Sequence, residues 1–440
     1  MKNKSKISLL MMVALFTASC NTDRMGDLKE GNEVADLKSS VSSDSSKPIP
    51  GQYIVVLNDG VLNANGLEVA KSTDGGKESY ERNNNVLLSK MRSNEEGLKL
   101  GIDNQKISSV FGNALEGFVA KNLTDADVEL LKKDSKVQSI EQDYLVTLLE
   151  KPAEETIASK AVTGQETPWG ITRVGGAGNG VGKTAWVIDS GIDLDHPDLN
   201  VNTQKSKSFI GDNNPDDGHG HGTHVAGTIA AINNDIGVVG VAAGATVVSL
   251  KVVNSLGQGS PSTWVSALDY VYVNASAGDV VNMSVGAPKN TAVDATLLKV
   301  AKKGIKIAVA AGNSYDNANN YSPARVNHAN IYTISAIAQG DFWTYFSSYG
   351  TCVDYAAPGY KVKSTSKNGG YHVDSGTSMA SPHAAGVVLL GSPTADGSVK
   401  AAYWEHDNVN YSGNYGATNT YSLSHYRYDK DGTIDKIIHR

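Results

Sequence analysis

Cysteine is almost missing: 440 residues contain two, Cys20 and Cys352. No disulfide framework can be built from so few, so stability has to come from a buried core. Proline is sparse (12) and glycine abundant (45), which suits tight loops around a compact core. Positive charge is not in excess. With a net charge of −7 and no basic stripe, no nucleic-acid partner is expected. Long apolar runs are lacking too, since Ile7 to Phe16 is too short to span a bilayer. What remains is an ordinary globular composition, 40% hydrophobic and 19% charged, long enough for two domains.

The first 19 residues read as an export signal: Lys2, Lys4 and Lys6, then the apolar run, then small residues before Cys20. This resembles a bacterial lipoprotein signal in which Cys20 becomes lipidated; the alternative is plain secretion with cleavage nearby. Membrane contact is expected only through that lipid. Cys352 is then a small buried hydrophobe. Residues 20–49 are polar and Ser-rich, the composition of a tether. Across 50–149 the pattern is β-α-β-β-α-β, with strands at "YIVVL", "KISSVF", "GFVAKNL" and "VQSIEQDYLV". The second helix opens at Thr124 with a capping-box signature. A small α+β ferredoxin-like domain is predicted there.

Residues 150–165 are polar and lack apolar periodicity, as a linker does. From 166 to 391, short apolar runs alternate with helix-like segments, which predicts an α/β doubly wound, mainly parallel sheet covered on both faces. Sites in such folds gather beyond the strands' carboxyl ends, where Asp189 and Asn313 fall. Residues 392–440 are Tyr- and Asn-rich, and either complete this domain or form an irregular tail. Their "DKDGTID" has its glycine misplaced for a calcium loop, with no closing Glu.

Residues 177–184, A-G-N-G-V-G-K-T, nearly spell a phosphate-binding loop. Such a loop must follow a strand and open a helix, whereas these glycines precede the strand ending at Asp189. A turn feeding a buried strand fits better.

Three segments carry residue types suited to acyl transfer: "VIDSGIDLDHPDL" with Asp189, "DGHGHGTHVAGT" with His219, His221 and His224, and "SGTSMASPHAAG" with Ser378. A serine hydroxyl becomes a nucleophile when an imidazole takes its proton, and a buried carboxylate fixes that imidazole's tautomer. Singly, each has a plain alternative: a turn-forming Asp, a three-His zinc site, a Gly-Thr-Ser that occurs by chance. Together their order is Asp, His, Ser, and Ser378 is not in a G-x-S-x-G elbow.

"GHGTHVAGT" and "GTSMASPH", with "PWGITRV" and "FSSYGTCVDYAAPG", resemble the subtilisin-like serine proteases, in the proteinase K and aqualysin branch. The resemblance runs from Pro168 to about Leu390 and implies a subtilisin-like fold. It makes Asp189 the orienting acid, His221 the base, Ser378 the nucleophile and Asn313 the oxyanion donor. It places an extended peptide substrate between Ser284-Val285-Gly286 and Gly257-Gln258-Gly259. Ala310-Ala311-Gly312 then line the pocket for the residue before the scissile bond; with no charge there, an apolar or aromatic preference is expected. Catalysis needs no cofactor. A structural calcium at Asp354, with the backbone of Ala329 and Ile331, is expected from the branch, against a turn-capping Asp. "GQYIVVLND" and "VQSIEQDYLV" resemble the family's inhibitory propeptide, cut from a monomeric enzyme within residues 145–166. The mature domain would then leave any lipid anchor and act on protein or peptide substrates outside the cell. The rival functions are a silent peptide-binding pseudoprotease and a lipase or esterase.

Overall fold

The computed structural model describes residues 46–67, 76–148, 164–403, 426–427, 431 and 433–440. The export signal, Cys20, the tether to residue 45, linker residues 149–163 and most of the tail lie outside the described residues.

The N-terminal half consists of β1 (Lys47–Leu57), α1 (Lys77–Arg92), β2 (Ile107–Phe111), β3 (Gly117–Ala120), α2 (Asp125–Lys133) and β4 (Val137–Thr147). Its sheet runs β4-β1-β3-β2 with antiparallel neighbours, the split βαβ order expected. β1 starts inside the stretch expected to be tether, because Lys47 and Pro48 pair with Leu145 and Tyr144. The box at Thr124 is real, closed by Asp127: Thr124 Oγ1 accepts the Asp127 amide and Asp127 accepts the Thr124 amide.

The run Ile54-Val55-Val56-Leu57 is apolar without alternation, and the packing explains it. Val55 and Leu57 face α1 and α2, with Leu87, Met91, Phe118 and Leu131. Ile54 and Val56, with Phe111 and Val119, face the other way and join the core of the C-terminal half. Both faces of this small sheet are therefore dry, and each such side chain contributes about 1.5–3 kcal/mol.

The C-terminal half is built on β5 (Thr184–Asp189), α3 (His221–Ala230), β6 (Thr246–Lys251), β7 (Gln258–Gly259), α4 (Pro261–Asn274), β8 (Val280–Met283), α5 (Thr291–Lys302), β9 (Lys306–Ala310), β10 (Ile331–Ala338), β11 (Tyr355–Pro358) and α6 (Thr377–Leu390). Strands β6-β5-β8-β9-β10-β11 are parallel neighbours in that order. Along β5, Trp186 and Ile188 pack with α4 and α5, while Ala185 and Val187 pack with α3 and α6. This is the doubly wound arrangement.

The glycines before β5 serve packing. A Cβ on Gly180 would lie 2.2 Å from the Ala242 carbonyl oxygen, so only glycine admits that approach. The tail, too, has structure. β12 (Thr394–Ser398) pairs antiparallel with β13 (Lys436–His439), and β13 adds to β11 in parallel, extending the main sheet with residues near the chain's last.

Candidate active site

Asp189 ends β5 and is fully buried. The loop beyond it meets the first turn of α3 so closely that a Cβ on Gly222 would stand 2.1 Å from the Gly191 carbonyl oxygen. That contact seats His221, the first residue of α3, over Asp189. His221 Nδ1 donates to Asp189 Oδ1 at 2.7 Å, a bond that leaves Nε2 as the acceptor end of the ring. Burial works against an imidazolium here, but the charge and hydrogen bond of Asp189, with Asp374 and Asp217 beyond, outweigh it and raise the His221 pKa to about 9.

α3 and α6 share one apolar cluster, Val225, Ala226 and Ile229 against Ala380, Ala384 and Val388, which brings their N-termini to the same rim. Ser378, the second residue of α6, arrives there. Its Oγ donates to the Ser284 carbonyl at 3.5 Å rather than to His221, so a turn about χ1 is needed before attack. Asn313 follows β9 and its Oδ1 accepts from the amide and hydroxyl of Thr377, at 2.8 and 2.9 Å. That bonding directs Nδ2 outward. A Cβ on Gly376 would lie 3.3 Å from Asn313 Nδ2 and 3.5 Å from the Ser378 amide nitrogen, so two N–H donors flank one point.

Comparison with known proteins places the chain in a family. A model of the subtilase family matches residues 182–406, just over half the chain, and one of peptidase inhibitor I9 matches residues 52–149. The chain belongs to the subtilase family. Its relatives include alkaline serine exoprotease A of Vibrio alginolyticus, 37% identical over 303 residues, 66% of this chain and 54% of that protein. Proteinase T of Parengyodontium album is 37% identical over 264 residues, 56% and 84% of the respective chains. The subtilase thus spans about half of the first relative and most of the second. A crystal structure of a cold-adapted subtilisin-like serine proteinase is 38% identical, covering 50% of this chain and 83% of that one, with a TM-score of 0.47. The C-terminal half is thus the subtilase half, and the half before it is an I9-type propeptide.

In this subtilase the propeptide occupies the expected substrate edge. β4 pairs antiparallel with β7, Thr147 opposite Gln258 and Val146 opposite Gly259, and the Leu148 amide donates to the Gly257 carbonyl at 2.8 Å. His219 flanks this edge, its Nε2 3.4 Å from where a Gly257 Cβ would stand. Opposite, Ser284 is buried and its Oγ donates to the Ser378 carbonyl at 3.0 Å, while Val285 is buried and Gly286 is exposed. Ala310 and Ala311 are buried, Ala311 against Ala318, Ala324 and Cys352. The Gly312 amide donates to Thr377 Oγ1 at 3.1 Å, tying that segment to α6. His224 turns inward, with Nε2 3.0 Å from the Val362 carbonyl oxygen, and burial pushes its pKa down to about 4.

Carboxylates clamp the two halves together. Asp269 of α4 accepts from Asn113 N, Asn113 Nδ2, Ala114 N and Tyr80 Oη, every donor belonging to the propeptide. In return, propeptide Glu141 accepts from Thr291 N at the start of α5, and Asp143 from Ser262 N at the start of α4. Both sit where helix amides lack partners.

The expected metal residue Asp354 caps the Thr333 amide at 2.8 Å, and partial burial raises its pKa to about 6. A different set of oxygens converges elsewhere. Gln165 Nε2 lies 2.7, 3.2, 3.5 and 3.3 Å from Ile232 O, Asn234 Oδ1, Ile236 O and Val238 O. Asp198 adjoins them, fully buried and accepting from Asn234 Nδ2 and Val238 N. One amide nitrogen has two hydrogens and cannot satisfy four acceptors. Turned end for end, the same amide adds its oxygen to the others, a hard all-oxygen set of the kind calcium takes. Sequence reading missed this cradle because half of its ligands are backbone carbonyls; only Asp198 stands out as a residue type.

Proposed function

We propose that this subtilase is made as an exported, self-processing precursor that hydrolyses peptide bonds by acyl transfer through Ser378. The observation that carries the reading is the Asp189–His221 bond, at the same rim as Ser378 and the paired donors of Asn313 and Ser378. Ser378 Oγ attacks the scissile carbonyl carbon as His221 Nε2 takes its proton, and Asp189 holds the resulting imidazolium. Asn313 Nδ2 and the Ser378 amide receive the oxyanion. On collapse the C–N bond breaks, His221 gives its proton to the leaving amine, and water repeats the sequence on the ester.

Val146 indicates the side chain the cleft accepts three residues upstream of Leu149, since it is buried with Val253, Trp264 and Val285. An aliphatic residue is favoured there. The first cut falls just past Leu148, within the 145–166 stretch, and leaves Cys20 on the propeptide side. Any lipid on Cys20 then holds the precursor to a membrane and not the mature enzyme. Calcium is assigned to Gln165, Asp198, Asn234 and the carbonyls of Ile232, Ile236 and Val238. The ion would cross-link the 232–238 loop to the start of the catalytic domain. A second ion at Asp354 is the weaker assignment, since that carboxylate already has a capping role.

The test is expression of the full chain and of Ser378→Ala. The wild type should clear casein, take up a serine-directed covalent inhibitor at Ser378 and show a new N-terminus shortly after Leu148. Ser378→Ala should stay full-length and inert. Peptide binding with neither labelling nor turnover would instead mark a silent peptide binder.

A further inference from the structure

One carboxylate beside the nucleophile has no part in acyl transfer. A hairpin of two strands, Val362–Ser366 and Gly370–Asp374, leads straight into α6, so Asp374 comes just ahead of Ser378 in the chain. Side chains alternate along a strand, so His372 and Asp374 share a face. That face is turned to α3, because the His372 ring packs edge-on against His224 with centroids 6.0 Å apart. Val362, the partner of Asp374 across the hairpin, accepts from His224 Nε2. Asp374 stands nearer Ser378 than His372 does, and so nearer His221. Burial lowers the His221 pKa, and the charges of Asp189 and then of Asp374 raise it.

The two flanks of α3 therefore differ. On one, His219 meets Gly257 and Leu148, along the line of the residues before the scissile bond. On the other lies the hairpin, whose Ser364 and Thr365 hydroxyls donate to the carbonyls of His224 and Thr223. A polypeptide that enters past Gly257 leaves on the hairpin side, where Asp374 is the acidic group it meets. Asp374 is half-buried, and its Oδ1 accepts the Ser375 amide. Three lysines are close by in the sequence, and each is engaged elsewhere. Lys361 lies over the Tyr360 ring, Lys363 pairs with Glu166, and Lys367 donates to the Gly218 carbonyl at 2.8 Å. Among the described residues no cation forms an ion pair with Asp374. A carboxylate left in that state attracts a cation brought by the substrate and repels an anion.

We propose that Asp374 is a specificity-determining residue on the leaving-group side, favouring Lys or Arg as the first residue after the scissile bond and disfavouring Asp or Glu; this rests on the reading of Ser378 as the nucleophile of peptide hydrolysis. The cleft then selects on both sides of the cut, for an aliphatic side chain at the Val146 position and a cationic one just downstream.

The experiment compares processed wild-type, Asp374→Asn and Asp374→Lys enzymes on internally quenched peptides that differ only in the residue after the cut: Lys, Ala or Glu. Mass spectrometry of the products fixes the bond broken. Ratios of kcat/KM are taken within each enzyme, so any change in His221 titration cancels. The wild type should cut the Lys peptide at least about fivefold faster than the Glu peptide, attraction and repulsion each contributing. Sodium chloride should narrow that gap by screening. Asp374→Asn should bring the ratio close to one, and Asp374→Lys should invert it. A smaller wild-type ratio, a ratio that salt leaves unmoved, or one that Asp374→Asn leaves unchanged overturns the proposal. The first two readings need only the wild type, so they decide even if a variant fails to mature. If none of the peptides is cut, the hydrolysis reading itself fails and takes this one with it.

Discussion

Replacing Asp269 by alanine should loosen the propeptide without touching the catalytic groups. Its carboxylate is fully buried and accepts four hydrogen bonds, from Ala114 N at 2.7 Å, Asn113 Nδ2 at 2.8 Å, Asn113 N at 2.9 Å and Tyr80 Oη at 3.1 Å. Truncation strands those donors in a dry interface. Removing one side of a buried, charged hydrogen-bonded contact costs about 2–5 kcal/mol. At about 1.4 kcal/mol per decade, that is a loss of roughly 30-fold to a few thousandfold in propeptide affinity. The assay is the inhibition constant of added propeptide against processed wild-type and Asp269→Ala enzymes, completed as a double-mutant cycle with Asn113→Ala. A change under threefold, or full additivity of the two substitutions, would refute the clamp. The same residue sets a pH slope. Burial outweighs the four bonds and raises the Asp269 pKa in the complex, and Glu141 shifts the same way for the same reason. A raised carboxylate pKa means the complex takes up protons, so inhibition is tightest in mild acid and weakens as pH climbs through those values. Asp269→Asn should flatten that slope.

Three further outcomes are expected. Asn313→Ala should lower kcat about 10²–10³-fold with little change in KM, the loss known for a subtilisin's own side-chain donor. Because His221 must be neutral to accept a proton and its pKa is raised toward about 9, the acid limb of kcat/KM should lie above the ordinary histidine value. Asp374→Asn removes one of the charges that raise it and should move that limb toward acid; an unmoved limb would deny the charge its role. Gly222→Ala, which puts a methyl 2.1 Å from a backbone oxygen, should cost about 1–3 kcal/mol of stability, read as a lower Tm in the Ser378→Ala background.

Much of this was legible in the sequence, for reasons that can be named. The strands of the main sheet are unbroken apolar runs because helices cover both faces, and such runs bounded by glycine are hard to misread. Asp189, His221 and Ser378 sit in long, distinctive segments. Asn313 is the end of a run, "IAVAAGNS", and its position past β9 follows from the strand. What escaped was non-local. β13 is four residues whose partner β11 lies some eighty positions earlier, and no periodicity can announce that pairing. Gln165 looked like linker because a single glutamine carries no pattern, and its meaning lies in carbonyls of a loop some seventy residues away. The Asp269 clamp was equally hidden, since an aspartate on a helix reads as a solvated face until the opposing loop is seen.

The pairing of β4 with β7 has a consequence for timing. A severed inhibitor still grips the very ledge that incoming polypeptides need, so severing it does not by itself liberate the enzyme. If the cut chain stays paired there, activity should wait on removal of the inhibitor, a task any vacated molecule could perform for its neighbours. A population of these molecules should therefore wake late and together, with a delay that shortens when a trace of mature enzyme is added.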